Sequence, residues 1–268
     1  KETGATFLHP FNDKYVIAGQ GTIGLEILEQ LDGKVDTILC PIGGGGIIAG
    51  IAVAAKGINP NIKIVGVQTA NIPSMQESMK NGEVTTAFKS TTIADGIAVK
   101  TPGDVTFEII NELVDEVVVV EEDEIAQGML FLMENQKVVA EGAGAVTTAA
   151  LLSGKYVPKK DENVVCVISG GNVDVNTLYR VIGTALTKEA RRYSFNTVIQ
   201  DKPGGLAELT KIISEYDANI LSANLSRSSM GGALGSLTAE MVLETFNHDH
   251  IDKLKVAITE AGFEIVEI

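Results

Sequence analysis

Cys40-Pro41-Ile42-Gly43-Gly44-Gly45-Gly46-Ile47-Ile48-Ala49-Gly50 sets four consecutive glycines between two apolar runs, residues 35–39 and 47–55. That order reads as strand, tight loop, helix. Glycine has no Cβ, so backbone N–H groups can approach a ligand closely and positive φ is permitted. A helix opening just after the loop adds unpaired N–H groups and the positive end of its dipole. Together these make a seat for a phosphate or another anion. A turn serving only strand–helix packing seldom needs four glycines.

Outward from this loop, apolar runs alternate with helical periodicity. Strands are predicted at 35–39, 63–69, 116–120 and 163–168, and helices at 47–56, 73–80, 107–113, 122–135, 143–152 and 176–189. This alternation implies an α/β unit with a mostly parallel sheet covered by helices. Ligands in such sheets sit at the carboxyl ends of strands. A second glycine loop, Val167-Ile168-Ser169-Gly170-Gly171-Asn172, lies at such an end, and so does the tetraglycine loop. Two loops on one sheet edge suggest two contacts to one flat, phosphorylated ligand. Glu141-Gly142-Ala143-Gly144-Ala145 is a third candidate, its carboxylate either a helix cap or part of a site. Upstream, Gly19-Gln20-Gly21-Thr22-Ile23-Gly24 has the G-x-G-x-x-G form without a long preceding β-run, and reads as an ordinary helix start.

The pattern changes near Arg191. Strands at 193–200, 219–226, 236–244 and 264–268 surround helices at 205–216 and 250–261, with a glycine-rich turn Met230-Gly231-Gly232 between the second and third strands. This βαββαβ order predicts a ferredoxin-like unit. The expected domains are therefore 1–190 and 191–268, joined through the helical stretch around 186–192.

Other chemistries fail specific tests. A Walker loop needs Gly-Lys-Ser/Thr where Ile47-Ile48 stands. A dinucleotide site wants an acidic residue at the end of the next strand, which ends Gln68-Thr69. Three histidines, His9, His248 and His250, suggest no Ser/His/Asp triad, and His248-x-His250 reads as a helix cap before a metal pair. Cys40 and Cys166 read as buried thiols, neither disulfide nor metal ligands. A net charge of -14 argues against nucleic acid and anionic membrane partners. The longest apolar run is far too short to span a bilayer, and no signal peptide is evident. A cytoplasmic protein is expected. The opening residues read like the middle of a fold, so a missing N-terminal part is expected too.

Gly19-Gln20-Gly21-Thr22-Ile23-Gly24-Leu25-Glu26, the stretch from Pro41 through Gly50, Ile93-Ala94-Asp95-Gly96-Ile97-Ala98-Val99-Lys100, Glu141-Gly142-Ala143-Gly144-Ala145 and Ser169-Gly170-Gly171-Asn172 together resemble the threonine dehydratases (threonine ammonia-lyases), fold-type II pyridoxal-phosphate enzymes. Lys202-Pro203-Gly204-Gly205 with Asn219-Ile220 resembles an ACT regulatory domain. The resemblance covers essentially the whole chain, in order. It implies that Gly43, Gly44, Gly45, Gly46 and Ile47 hold the cofactor phosphate by N–H groups. Gly170 follows Ser169, whose hydroxyl would meet the pyridine nitrogen, and Glu141 would line the ring or substrate side. The implied reaction converts L-threonine, and L-serine as a second substrate, to the 2-oxo acid and ammonia. L-Threonine gives 2-oxobutanoate.

The family's Schiff-base lysine stands in Ser-x-Lys-x-Arg-Gly, followed by Ser-x-Gly-Asn-His, and neither motif occurs here. The chain alone is therefore expected to be inactive. Gln68 and Ser74 stand where racemase relatives carry carboxylates for a divalent ion, so no metal is expected. The ACT resemblance implies self-association through both domains and an isoleucine or valine effector at Asp201, Gly204, Gly205 and Asn219, consistent with a place in isoleucine synthesis. Two alternatives stay open: a non-catalytic amino-acid-sensing fragment, and a serine dehydratase or racemase relative.

Overall fold

A computed structural model describes residues 7–88, 91–227 and 235–267. The chain divides into two compact units, Lys1–Ile182 and Gly183–Ile268. In the first, the elements run α1 (Lys14–Gln30), β1 (Thr37–Pro41), α2 (Gly46–Ile58), β2 (Lys63–Thr69), α3 (Ser74–Asn81), α4 (Asp104–Leu113), β3 (Glu116–Val120), α5 (Glu122–Phe131), α6 (Gly142–Leu152) and β4 (Val164–Cys166), before α7 (Val175–Lys188). The four strands are parallel, in the order β3-β2-β1-β4.

β1 is buried along its whole length, with Leu39 paired to Val65 on one side and Cys166 on the other. A strand covered on both faces carries apolar side chains at successive positions, as Ile38, Leu39 and Cys40 do. Ile38, Cys40 and Ile64 share a core with Ile17, Ile48, Ile51 and Ile110 from α1, α2 and α4. α6 lies against β1, β2 and β3 and packs on α5. The chain passes from β1 through β2 to β3, then returns to the far side of β1 as β4. Strand order therefore reverses between β1 and β4, which makes their carboxyl ends the switch point where ligands bind in such sheets.

The second unit contains β5 (Arg192–Gln200), α8 (Gly205–Glu215), β6 (Asn219–Ser226), β7 (Ser236–Glu244), α9 (His248–Glu260) and β8 (Val266–Glu267). Its antiparallel sheet has the order β6-β7-β5-β8. Alternate residues of β5 and β7, among them Phe195, Ala239, Met241 and Leu243, are buried with Leu209, Ile213, Leu254 and Ile258 of the two helices.

Several boundaries differ from the sequence reading. The G-x-G-x-x-G stretch lies inside α1, which starts earlier because Asp13 accepts the N–H groups of Tyr15 and Val16. Its glycines serve the helix contact: a Cβ at Gly21 would lie 3.1 Å from the Gly50 carbonyl oxygen. The long helix expected at 122–135 is α-helical only to Phe131, then widens into a π turn, Leu132–Gln136, closed by Lys137 at φ 59°. β4 is shorter than 163–168, and β1 is shifted toward Pro41. The turn Met230-Gly231-Gly232 and Ile268 lie outside the described residues. Cys40 is buried, and burial pushes its thiol pKa up; Cys166 is only partly buried and is pushed up to about 11 for the same reason.

At the amino-terminal end of the sheet, the Glu162 carboxylate accepts the Thr37 hydroxyl at 2.5 Å, the Tyr156 hydroxyl at 2.5 Å and the Lys159 N–H at 2.5 Å. These donors, Thr37 foremost, hold its pKa down to about 2. A depressed acid contributes stability that is present above its ordinary value of 4.5 and lost as pH falls through about 2. Urea denaturation as a function of pH should show this loss across that window, and Glu162→Gln should flatten it. Within α2, a Cβ at Gly50 would lie 2.3 Å from the Ile17 carbonyl oxygen, whereas one at Gly57 meets nothing within 4 Å. Gly50→Ala should therefore cost about 1–3 kcal/mol by overpacking. Gly57→Ala should gain about 0.5–1 kcal/mol through helix propensity. Both are read by the same denaturation.

Candidate active site

β1 ends at Pro41, and the chain turns through the glycines into α2. Gly45 caps the helix at φ 98°, a conformation that side-chain-bearing residues rarely adopt. Among the described residues, no protein acceptor takes the N–H of Gly43, Gly44, Gly45, Gly46 or Ile47. These residues line one cleft at the amino end of α2, where its dipole is positive.

The loop is held from behind. The buried Thr106 hydroxyl, in the first turn of α4, donates to the Gly44 carbonyl at 2.6 Å and to that of Gly103 at 3.1 Å. A Cβ at Gly45 would lie 2.7 Å from Ile110 Cδ1. On the other flank, the ring of Phe11 lies so close to Gly44 that a Cβ there would come within 2.3 Å of it.

The loop opens into a cleft of about 360 Å³ that also receives Ser169 and Glu141. Ser169 is exposed and follows β4, the neighbour of β1, so the two glycine loops leave adjacent strands. Glu141 precedes α6 but makes no side-chain cap to it. Its N–H donates to the Gly170 carbonyl at 3.1 Å, and its Oε2 accepts the Asn172 N–H at 3.0 Å. Its Oε1 stands where a Cβ on Gly170 or Gly96 would fall, at 2.4 and 2.9 Å. Glu141 thus joins three loops that are far apart in sequence. Gly170 itself backs Glu141 without lining the cleft.

No lysine, arginine or histidine lines the cleft among the described residues. An anion there is held by backbone donors and the helix dipole. That donor set fits a phosphate monoester, and Ser169 together with the apolar walls at Ile97 and Val99 fits a flat ring attached to it. The sequence reading passed over Pro10, Phe11, Ile97 and Val99 as wall residues. The only sequence signal for Phe11 was an aromatic between Pro10 and the Asn12-Asp13 cap pair, which is common in plain turns.

In the second unit, Asp201, Gly204 and Gly205 lie together in the turn after β5. The Asp201 carboxylate is engaged by Arg227, at 2.9 Å from Nε and 3.1 Å from Nη2, and its pKa is lowered by that partner. Asn219 pairs with Glu244, which in turn faces Arg192 at the other end of β5. Within one chain it is therefore about 27 Å along the strand from the turn. His248 and His250 stand at the start of α9. His250 Nδ1 accepts the Phe246 N–H at 3.1 Å, and Asn247 caps the His250 N–H. Gln68 donates to the Ile42 carbonyl and accepts the Gln76 N–H, and the Ser74 hydroxyl donates to the Val99 carbonyl. Among the described residues, no group of three or more His, Cys, Asp or Glu could hold a metal ion. No helix there is long and apolar enough to cross a membrane.

Comparison with known proteins agrees with this geometry. A family model described as "Pyridoxal-phosphate dependent enzyme" matches residues 1–170. An L-threonine ammonia-lyase of Thermotoga maritima is 48% identical over 265 residues, covering 99% of this chain and 65% of that protein. One from Geobacter sulfurreducens is 45% identical over 263 residues, with 98% and 65% covered. The chain thus spans about 65% of the length of these curated relatives. Among solved structures, maize serine racemase superposes with a TM-score of 0.63 at 39% identity, over 70% of this chain and 58% of that one.

Thr106→Val removes the donor to the Gly44 carbonyl while keeping the shape. It should cost about 1–3 kcal/mol, the penalty for a buried acceptor left short of its partner. Urea denaturation measures the loss, and Thr106→Ser should restore most of it.

Proposed function

The chain belongs to the pyridoxal-phosphate dependent enzymes, and from that premise we propose that it serves the deamination of L-threonine to 2-oxobutanoate and ammonia. The observation that carries this reading is the set of five N–H groups, on Gly43, Gly44, Gly45, Gly46 and Ile47, that have no acceptor among the described residues, with Ser169 on the adjacent strand end. The relatives named L-threonine ammonia-lyase support the substrate, and their match runs through both units.

Bound pyridoxal phosphate supplies an electron sink for the charge left when the α-proton departs. This chain's residues hold and orient it. The glycine loop takes the phosphate. The Ser169 hydroxyl serves as a neutral partner for the pyridine nitrogen, which suits elimination better than a carboxylate would. Glu141, fixed by the Asn172 N–H, lines the ring side. The N–H groups of Gly43, Gly44, Gly45, Gly46 and Ile47 would hold the phosphate in the cleft, where it would be available as an acid for the leaving hydroxyl. With no lysine on the cleft wall among the described residues, the chain alone is read as holding the cofactor without a covalent bond and as inactive.

The second unit is read as an ACT regulatory domain. The βαββαβ topology supports it, as does the turn of Asp201, Gly204 and Gly205 at the start of α8. Isoleucine or valine is the proposed effector, acting by different affinities for two states. The edge strand β6, with Leu221 and Leu225 exposed, supports pairing with a second copy, which brings Asn219 of one chain toward the turn of another. A cytoplasmic location completes the reading. The similarity to serine racemase keeps a serine-directed activity as the second reading.

Borohydride reduction after incubation with pyridoxal phosphate should label only surface lysines, each substoichiometrically; one lysine labelled stoichiometrically overturns the non-covalent reading. In the protein that joins this chain to a cofactor-holding lysine, L-threonine should yield 2-oxobutanoate faster than L-serine yields pyruvate. The reverse order favours the serine-directed reading. Calorimetric titration with isoleucine should give heat, and none with isoleucine or valine favours a purely dimerising unit.

A further inference from the structure

In the segment His9-Pro10-Phe11-Asn12-Asp13, the residues His9, Phe11, Asn12 and Asp13 are each engaged. The Nδ1 of His9 accepts the N–H of Asn12 at 2.9 Å and that of Phe11 at 3.4 Å, folding the segment into a tight turn. The His9 and Phe11 rings meet edge to face at 4.6 Å. Asn12 reaches to α4: its Nδ2 donates to Asp104 Oδ1 at 2.6 Å, and its Oδ1 accepts the Val105 N–H at 3.0 Å. Asp13 then caps α1. The turn is thereby tied at one end to α1 and at its middle to the amino end of α4, the same turn whose Thr106 grips the Gly44 carbonyl.

Between these ties the Phe11 ring lies flat against Gly44. A Cβ built there would fall 2.3 to 2.4 Å from three ring carbons, and one at Gly46 would fall 3.1 Å from Phe11 Cα and Cβ. Phe11 also lines the cleft. The glycine loop is therefore clamped between an aromatic ring on one flank and the Thr106 hydroxyl on the other. Donors that act together on one phosphate need a fixed mutual geometry, and glycines alone do not fix one.

We infer that Phe11, set in place by His9 and Asn12, is a positioning residue for the phosphate-binding loop: it presses Gly44 and Gly46 into the arrangement that aims the N–H groups at the phosphate, and it shields them from water. The inference rests on the phosphate-cup reading of the cleft and adds to it a side chain that glycine spacing does not reveal. The ring offers no hydrogen bond to a phosphate, so its contribution through the loop is read in the phosphate increment of binding.

The test compares pyridoxamine 5′-phosphate with pyridoxamine, by calorimetry on the full chain. The amine in place of the aldehyde avoids reaction with surface lysines. Wild type should prefer the phosphorylated form by at least about tenfold, a 1.4 kcal/mol difference. Phe11→Ala should remove most of that preference, read as the ratio of the two affinities, and Phe11→Tyr should retain it. Asn12→Ala, which unties the turn without touching the ring, should lower the same ratio, and it decides the matter if Phe11→Ala unfolds. Gly44→Ala should abolish the preference in the wild-type background and regain part of it beside Phe11→Ala, because the ring that collides with the new methyl is gone. An undiminished preference in both Phe11→Ala and Asn12→Ala overturns the inference and leaves the cup standing. A wild type that does not distinguish the two ligands overturns both.

Discussion

Five backbone N–H groups at the carboxyl end of β1 have no acceptor among the described residues, and Gly44, Gly45 and Gly46 beneath them are buried. An unpaired donor in such a place costs about 1–3 kcal/mol, so a loop of this kind relaxes unless its surroundings forbid it. Here they do. Ile110 and Thr106 stand under Gly45, Thr106 takes the Gly44 carbonyl, and Phe11 covers the outer flank. α2 cannot slide to shelter its own first turn, because α1 crosses it at Gly21 and Gly50 with no space for a side chain. The close packing of α1, α2 and α4 on the β1 face is what keeps the donors free for a ligand.

The same logic explains where Glu141 sits. A carboxylate just before a helix is ordinarily drawn to that helix's first N–H groups. In this chain it turns away from α6 to the Asn172 N–H, and Gly96 and Gly170 supply the space. The result ties the loop after β4 to the segment around Gly96, so that Ser169 is presented to the cleft by a brace independent of the sheet. Glu162, at the opposite end of the same sheet, is spent on structure. Its lone pairs are taken by Thr37, Tyr156 and Lys159, which pin the amino end of β1 to the chain entering β4.

Much of this was legible in the residues. Runs at 63–69 and 116–120 became β2 and β3 with those bounds: β2 is buried almost throughout and carries the apolar signature of a doubly covered strand, while the half-buried edge strand β3 was marked by its four consecutive valines. Glycines without side chains leave a direct trace of backbone recognition, and the two loops were found on neighbouring strands as their order implied. What failed to show was tertiary in origin. Gly19, Gly21 and Gly24 looked like a helix start, because a glycine pattern at the head of a helix and one at a helix crossing are alike in sequence. The widening after Phe131 has no local marker short of Lys137 adopting positive φ. Phe11 was hidden because its partner, Gly44, lies 33 residues on and carries no side chain to announce the contact.

That contrast bears on how cofactor and substrate are encoded. A phosphate bound by N–H groups demands absent side chains at fixed positions, a rare pattern that few other roles produce. Discrimination between threonine and serine is the recognition of one methyl group, worth only about 1–3 kcal/mol in an apolar pocket. Ordinary aliphatic and aromatic residues supply such recognition and leave no distinct pattern in a sequence; those on this cleft wall, Phe11, Ile97 and Val99 among them, each have a packing role of their own. Val99 contacts the space beside Gly43 while its carbonyl holds Ser74, and Ile97 abuts Gly43 itself. These apolar wall residues of the cleft are therefore also ones that hold the phosphate loop in shape. A substitution on this wall must therefore keep the loop in shape, which favours swaps of similar volume.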